Sequence, residues 1–215
     1  MGKAAFSSPP QSYAREALRD AAQRAEFGLS IVRTVFCVLI ALRFLSLVEV
    51  EGPGDSLRGV LLLLAAVLGI AFSLRVIALL RKGKVSGRLL GMSVVADAAI
   101  CTVALLSNVL WPFPEYRGVL LLPETATFLA IVFAAGFRAS PRLAMVGAAA
   151  NGLGLALLVL VDRALNGPLH GAGVNTASLY AVLFSCSAAL AVVGARRTRD
   201  LVEQAALHSF GKSQA

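Results

Sequence analysis

The sequence alternates between long apolar segments and short polar connections. Six apolar segments are each close to the ~20 residues that an α-helix needs to cross a bilayer. They fall at 27–48, 58–80, 89–110, 119–137, 142–161 and 177–195. The pattern therefore predicts an all-α, polytopic membrane protein with six transmembrane helices.

The polar ends of the chain divide it into three parts. Residues 1–26 are predicted to be a cytoplasmic N-terminal segment with an interfacial helix, 27–195 the six-helix transmembrane domain, and 196–215 a cytoplasmic linker or stalk helix. Helix six is expected to extend into that stalk, because residues 195–208 contain no Gly or Pro and are rich in helix-forming residues.

The basic residues predict the orientation of the chain. They cluster in the N-terminal segment, the second and fourth connections and the tail: Lys3, Arg15, Arg19, Arg24, Arg81, Lys82, Lys84, Arg88, Arg138, Arg142, Arg196, Arg197, Arg199 and Lys212. Acidic residues dominate the other connections. Because cytoplasmic connections carry the excess of Lys and Arg, both termini are expected on the cytoplasmic side of a bacterial inner (plasma) membrane.

Composition excludes a soluble domain. Of the 215 residues, 58% are hydrophobic and 15% charged, and the mean hydropathy is +0.78. The net charge of +8 comes from basic residues in the connections and polar ends, as membrane topology requires, so no nucleic-acid partner is expected. Cys37, Cys101 and Cys186 all lie in apolar segments and are interpreted as small buried side chains, without a disulfide framework, metal site or cofactor.

Polar side chains inside the apolar segments are the candidate functional residues, because such groups are costly in a bilayer. They are Arg33, Arg43, Arg75, Asp97, Glu124 and Asn151. A helical rise of ~1.5 Å per residue separates them into two layers. Arg33, Arg75, Asp97 and Asn151 lie nearer the cytoplasmic boundary, and Arg43 and Glu124 nearer the external one. The hypothesis is an inner Arg33–Asp97 pair, shared with Arg75, and an outer Arg43–Glu124 pair.

The charged residues among them also have alternative interpretations. The arginines can extend to the headgroups, whereas Asp97 is too short to do so. Asp97 is therefore interpreted as a structural partner or as a sensor of a proton or ligand. Glu124 either contacts an external ligand or stabilises a helix N-terminus through the helix dipole.

Recognisable catalytic chemistry is absent from the sequence. Neither histidine, His170 nor His208, lies in an apolar segment, and no HExxH or GxSxG motif occurs. The phosphate-loop-like residues 206–213 follow a polar helix instead of a buried strand and are interpreted as chance. No catalytic residue is expected in this chain.

Several stretches together resemble the six-helix membrane domains of bacterial signalling proteins, above all class III adenylate cyclases, and less closely membrane histidine kinases. They are REALRDAAQRAEF, VRTVFCVLIALRF, SVVADAAICTVALL, WPFPEYRGVLLLPETATF, FRASPR and RRTRDLVEQAA. The resemblance implies a receptor or regulatory role and dimerisation through the exit helices. The transducer residues would be Arg196, Arg197, Arg199 and Leu201. No cyclase or kinase domain lies within this chain.

The sequence thus predicts a membrane anchor and regulatory or sensor domain that transmits rearrangement of the bundle through helix six. Its expected partners are the lipid bilayer, a cytoplasmic output domain and a second copy of itself; the ligand is not predicted. The alternative is a small self-contained transporter or channel, which would work as this chain alone. A membrane enzyme acting on lipid is a weaker alternative, because no nucleophile, base or metal ligands cluster.

Overall fold

The computed structural model describes residues 9–47, 53–84, 86–167 and 174–213. Every regular element in these ranges is helical. The α-helices are α1 (Pro9–Leu47), α2 (Pro53–Arg81), α3 (Gly87–Leu110), α4 (Ala126–Ala135), α5 (Pro141–Asn166) and α6 (Val174–Ser213). Short 3-10 turns occupy Val119–Leu121, Pro123–Thr125 and Gly136–Arg138. The predicted all-α class is confirmed.

Five of these helices, α1, α2, α3, α5 and α6, are long and apolar enough to cross a membrane. Many of their Leu and Val side chains are exposed on the surface of the bundle, as expected where lipid surrounds the protein. The chain is therefore a membrane protein, as its pattern predicts. The connections 48–52 and 168–173 lie outside the described residues.

The fourth apolar segment differs from a continuous helix over 119–137. Its α-helix, α4, has only 10 residues and lies between 3-10 turns. Pro123 disfavours helical backbone at the preceding residue, and Leu122 is extended, with φ −72° and ψ 128°. At the other end Ala139 is left-handed, with φ 51°. The local backbone preferences therefore shorten this helix.

Both terminal helices are much longer than their apolar segments. α1 has 39 residues and α6 has 40, about 60 Å at a rise of 1.5 Å per residue, or twice the ~30 Å hydrocarbon core. Both helices continue without a break across the predicted part boundaries at 26/27 and 195/196. The predicted interfacial and stalk helices are therefore extensions of the first and last apolar helices.

These two extensions project from the same end of the bundle. Glu26 of α1 contacts Arg138, and Gly136, two residues before Arg138, lies against Ala191 of α6. Residues 26 and 191 are therefore at similar heights. α1 before Glu26 and α6 after Ala191 extend beyond that level together, and the two helices pack against each other.

The interior of the bundle is built around α3 and α5. Gly147 of α5 allows a close approach, because a Cβ there would lie 3.0 Å from Val94 Cγ1 and 2.9 Å from Ala135 Cβ. α1 packs mainly against α2 and α6. This arrangement leaves a gap between α1 and α4, which α3 closes on one side.

Candidate functional site: a buried charge cluster beside a groove

Two acids and two bases from three separate elements meet inside the bundle. α1 supplies Glu26 and Arg33, which are seven residues apart and therefore share one helix face. α3 supplies Ser93 and Asp97, four residues apart on one face. Arg138 comes from the Gly136–Arg138 turn that follows α4. We call these five residues the charge cluster.

The charge cluster is a closed ring of hydrogen bonds. Arg33 Nε donates to Asp97 Oδ1 at 2.5 Å, and Arg138 Nη2 donates to Asp97 Oδ2 at 3.0 Å. Arg138 Nε donates to Glu26 Oε2 at 2.7 Å. Arg33 Nη2 donates to Ser93 Oγ at 2.6 Å, and the Ser93 hydroxyl donates to Glu26 Oε1. Each arginine therefore interacts with both acids, because Arg33 Nη2 also lies 3.7 Å from Glu26 Oε1.

The charge cluster is buried and formally neutral. Glu26 is 0% exposed, Arg138 2% and Arg33 6%, whereas the Asp97 side chain keeps 15% of its surface. Burying four charges is costly, and removing one partner from a buried pair costs about 3–5 kcal/mol because it leaves the other uncompensated. An intact buried network adds little net stability, because the cost of desolvating its charges offsets their mutual attraction.

The structure brings some of the predicted inner residues together. Arg33 and Asp97 contact each other, as the inner-pair hypothesis states. Arg75 is exposed on α2 and forms no ion pair with Asp97. Asn151 is buried in α5, where its side-chain amide donates to Gly147 O at 2.8 Å, away from the charge cluster.

Sequence reasoning did not include Glu26, Ser93 or Arg138. It placed Glu26 in the polar N-terminal segment and Arg138 in a basic connection, so neither was counted as an intramembrane charge. The seven-residue spacing of Glu26 and Arg33 was a usable signal, since it places an acid and a base on one helix face. Nothing local indicated Arg138, because its partners are distant in sequence.

The second polar region surrounds an outer cavity of about 500 Å³ between α1, α2, α3 and the start of α4. Glu124 lines it in the Pro123–Thr125 turn, together with Arg58, Asn108 and Glu115. The Arg58 guanidinium lies 5.8 Å from the centre of the Phe113 ring, a cation–π distance. Arg43 belongs to α1, but its side chain lies outside the described part, so the Arg43–Glu124 pair stays a prediction.

An inner cavity of about 190 Å³ extends from the outer cavity to the charge cluster. Arg33 and Asp97 line its inner end. Phe36, Cys101 and Thr127 border both cavities, so the two are neighbours along the gap between α1 and α4. We call them together the α1–α4 groove. Its walls are mainly apolar, and Asp97 is the acid of the charge cluster that it exposes.

The charge cluster also reaches α6. A Cβ on Gly136 would lie 2.8 Å from Ala191 O, so the Gly136–Arg138 turn packs directly against the α6 backbone. Further along α6, the predicted transducer residues are all exposed: Arg196, Arg197, Arg199 and Leu201. Arg199 Nε donates to Glu203 Oε1 at 2.8 Å, one helical turn away.

Through its ion pairs, the charge cluster can couple the positions of α1, α3 and the Gly136–Arg138 turn. Within the described ranges, no group of three or more His, Cys, Asp or Glu side chains could hold a metal ion. Comparison with protein-family models, with curated proteins and with solved structures gives no match to this chain.

Proposed function

We propose that this chain is the membrane regulatory module of a signalling protein. A change in the α1–α4 groove, such as ligand binding, alters the contacts within the charge cluster. The charge cluster transmits this change to the extensions of α1 and α6. The observation that carries this proposal is the position of Arg138. This residue bonds to Glu26 of α1 and Asp97 of α3, and its turn packs against α6.

The coupling uses two alternative packings of the charge cluster. Asp97 faces both the groove and Arg138, so a change at the groove shifts the balance of its two arginine contacts. A switch of this kind needs packings that differ by a few kcal/mol and a ligand that binds one of them better. The Gly136–Arg138 turn then moves with Arg138 and displaces α6.

Six membrane spans with both termini on the cytoplasmic side are part of this proposal. Supporting evidence comes from the two ends of the fourth segment. At its start, Val119 N donates to Asp162 near the end of α5. At its end, Arg138 reaches Asp97 in α3. The fourth segment therefore runs from the level of Asp162 to the level of Asp97. The basic connections favour the cytoplasmic side for the end of the bundle near Asp97.

A class III adenylate cyclase domain, paired through the α6 extensions of a dimer, is the proposed output, on the basis of the sequence resemblance. The test joins residues 1–215 to such a catalytic domain and measures cAMP in inner-membrane vesicles. Arg138→Gln should change cAMP formation severalfold. Arg142→Gln, an exposed arginine four residues away, is the matched control and should leave it unchanged. Equal output from both variants would refute the coupling.

A transporter is the second candidate, because the α1–α4 groove extends from Glu124 to Asp97. The charge cluster closes the inner end of that groove, which favours the regulatory function. Purified protein in liposomes distinguishes the two. A transporter would carry a proton or solute flux that Asp97→Asn abolishes, whereas the regulatory module gives no flux above empty liposomes.

A further inference from the structure

The α1–α4 groove has the size and lining of a ligand site. Its outer cavity of about 500 Å³ falls within the range of about 300–1,000 Å³ that is usual for small-molecule pockets. The inner cavity adds about 190 Å³ in the direction of the charge cluster. Such pockets combine apolar walls with a few polar groups that orient the ligand, and this groove has both.

The polar groups are distributed unequally along the groove. The outer cavity is lined by hydrogen-bonding side chains, among them one positively charged and two negatively charged groups. These residues are Arg58, Asn108, Glu115, Glu124 and Thr127. The inner cavity is lined mainly by apolar side chains such as Leu29, Ile100, Ile131 and Ala134. A molecule that matches both cavities has a polar end outside and an apolar end inside.

We propose that the groove binds a single-chain amphiphile from the external side, with its polar head in the outer cavity and its chain in the inner cavity. The head is uncharged and both donates and accepts hydrogen bonds, as a hydroxyl does. Arg58 supplies donors, and the carboxylates of Glu115 and Glu124 supply acceptors. A charged head would meet one group of its own sign at this mixed-charge site.

The inner end of such a chain would lie beside Arg33 and Asp97. Occupancy would therefore exclude water from the exposed part of Asp97, and that connects the ligand to the proposed regulatory function. Binding itself is independent of any output domain. It can therefore be tested on this chain alone, and its failure would leave the cAMP experiment to be judged separately.

The experiment uses dodecanol as the probe and two introduced cysteines as reporters. Ala130 lines the inner cavity, whereas Ala156 of α5 lines neither cavity, and both are exposed alanines on apolar helices. In a cysteine-free background in nanodiscs, N-ethylmaleimide labelling of Ala130→Cys and Ala156→Cys is followed by mass spectrometry. Ala156→Cys is the control for simple partitioning of dodecanol into the bilayer, because Ala156 lines neither cavity.

The proposal expects dodecanol to slow labelling of Ala130→Cys at concentrations at least about tenfold below those that affect Ala156→Cys. Equal protection of both sites, or protection of neither, would overturn the binding site. Introducing Ala104→Phe, on the wall of the outer cavity, should remove the protection at Ala130→Cys. Protection that survives this change would place the probe elsewhere.

Three analogues test the head group. Dodecane lacks the hydroxyl, and the loss of one or two hydrogen bonds should weaken protection about tenfold. Equal protection by dodecane would show that the site selects only the chain. Dodecanoate and dodecyltrimethylammonium should also protect less well than dodecanol. Stronger protection by either would overturn the assignment of an uncharged head.

Discussion

At the scale of single residues, the contacts of Asp97 explain why an acid can lie inside an apolar segment. Its two carboxylate oxygens accept from different arginines, Arg33 and Arg138. Asp97 is therefore held from two directions, by α1 and by the turn after α4. A partner from a single helix would stabilise one contact, whereas two partners fix the relative positions of three elements.

This geometry predicts strong coupling between Arg33 and Asp97. Arg33→Gln and Asp97→Asn should each destabilise the protein, because each leaves the buried charge cluster with one uncompensated charge. The double variant should lose less than the sum of the two, with a coupling energy of about 1–3 kcal/mol. Thermal unfolding in nanodiscs measures the cycle. As the control, Arg75→Gln combined with Asp97→Asn should be additive within about 0.5 kcal/mol.

Tyr116 supplies a pH-dependent contact at the other end of the bundle. Its hydroxyl donates to Asp162 Oδ1 at 2.8 Å. Burial raises the pKa of the Tyr116 phenol, and the hydrogen bond to Asp162 raises that pKa further. In the folded protein the phenol thus keeps its proton above pH 10, where an unfolded tyrosine loses it.

The expected consequence is a loss of stability at alkaline pH. Below about pH 10 both states are protonated, and the contribution of Tyr116 is complete. Above that pH the unfolded state binds fewer protons, so the free energy of unfolding falls as pH rises. The midpoint of thermal unfolding, measured from pH 8 to pH 11, should fall more steeply for the natural protein than for Tyr116→Phe. Parallel curves would contradict the assignment.

At the scale of elements, the sequence predicted the long helices well because their apolar patterns are long and uninterrupted. The fourth segment was harder, since Pro123 and the left-handed Ala139 act locally against the pattern. The charge cluster was predicted in part. Arg33 and Asp97 stand out in apolar surroundings, whereas Glu26 and Arg138 become buried only when α1, α3 and the Gly136–Arg138 turn come together.

The contact between the Gly136–Arg138 turn and α6 gives a prediction for a single methyl group. Gly136→Ala would bring a Cβ within 2.8 Å of Ala191 O, so the turn and α6 must separate at a cost of about 1–3 kcal/mol. The matched control is Gly91→Ala in α3, where a Cβ would meet nothing within 4 Å. This change should be neutral or slightly stabilising, because Ala favours helix more than Gly. Thermal unfolding of the two variants measures the difference.

At the scale of the whole molecule, the number of membrane crossings determines how the charge cluster can act. If α4 and its flanking turns cross the membrane, and if the basic connections face the cytoplasm, then Arg138 lies at the cytoplasmic side with the extensions of α1 and α6. The groove then opens toward the opposite side through Glu124. An external ligand and a cytoplasmic output would be connected within one bundle.

Chemical labelling at Glu115 and Arg142 tests this crossing, because both are exposed residues, one before and one after the fourth segment. Single cysteines at these positions, in a cysteine-free background, are labelled with a membrane-impermeant maleimide in right-side-out and inverted vesicles. Six spans with both termini on the cytoplasmic side require Glu115→Cys to react in right-side-out vesicles and Arg142→Cys in inverted ones. Lys82→Cys, in the second connection, should behave like Arg142→Cys. If Glu115→Cys and Arg142→Cys react from the same side, α4 does not cross the membrane. The charge cluster could then not connect an externally open groove to helices that project into the cytoplasm.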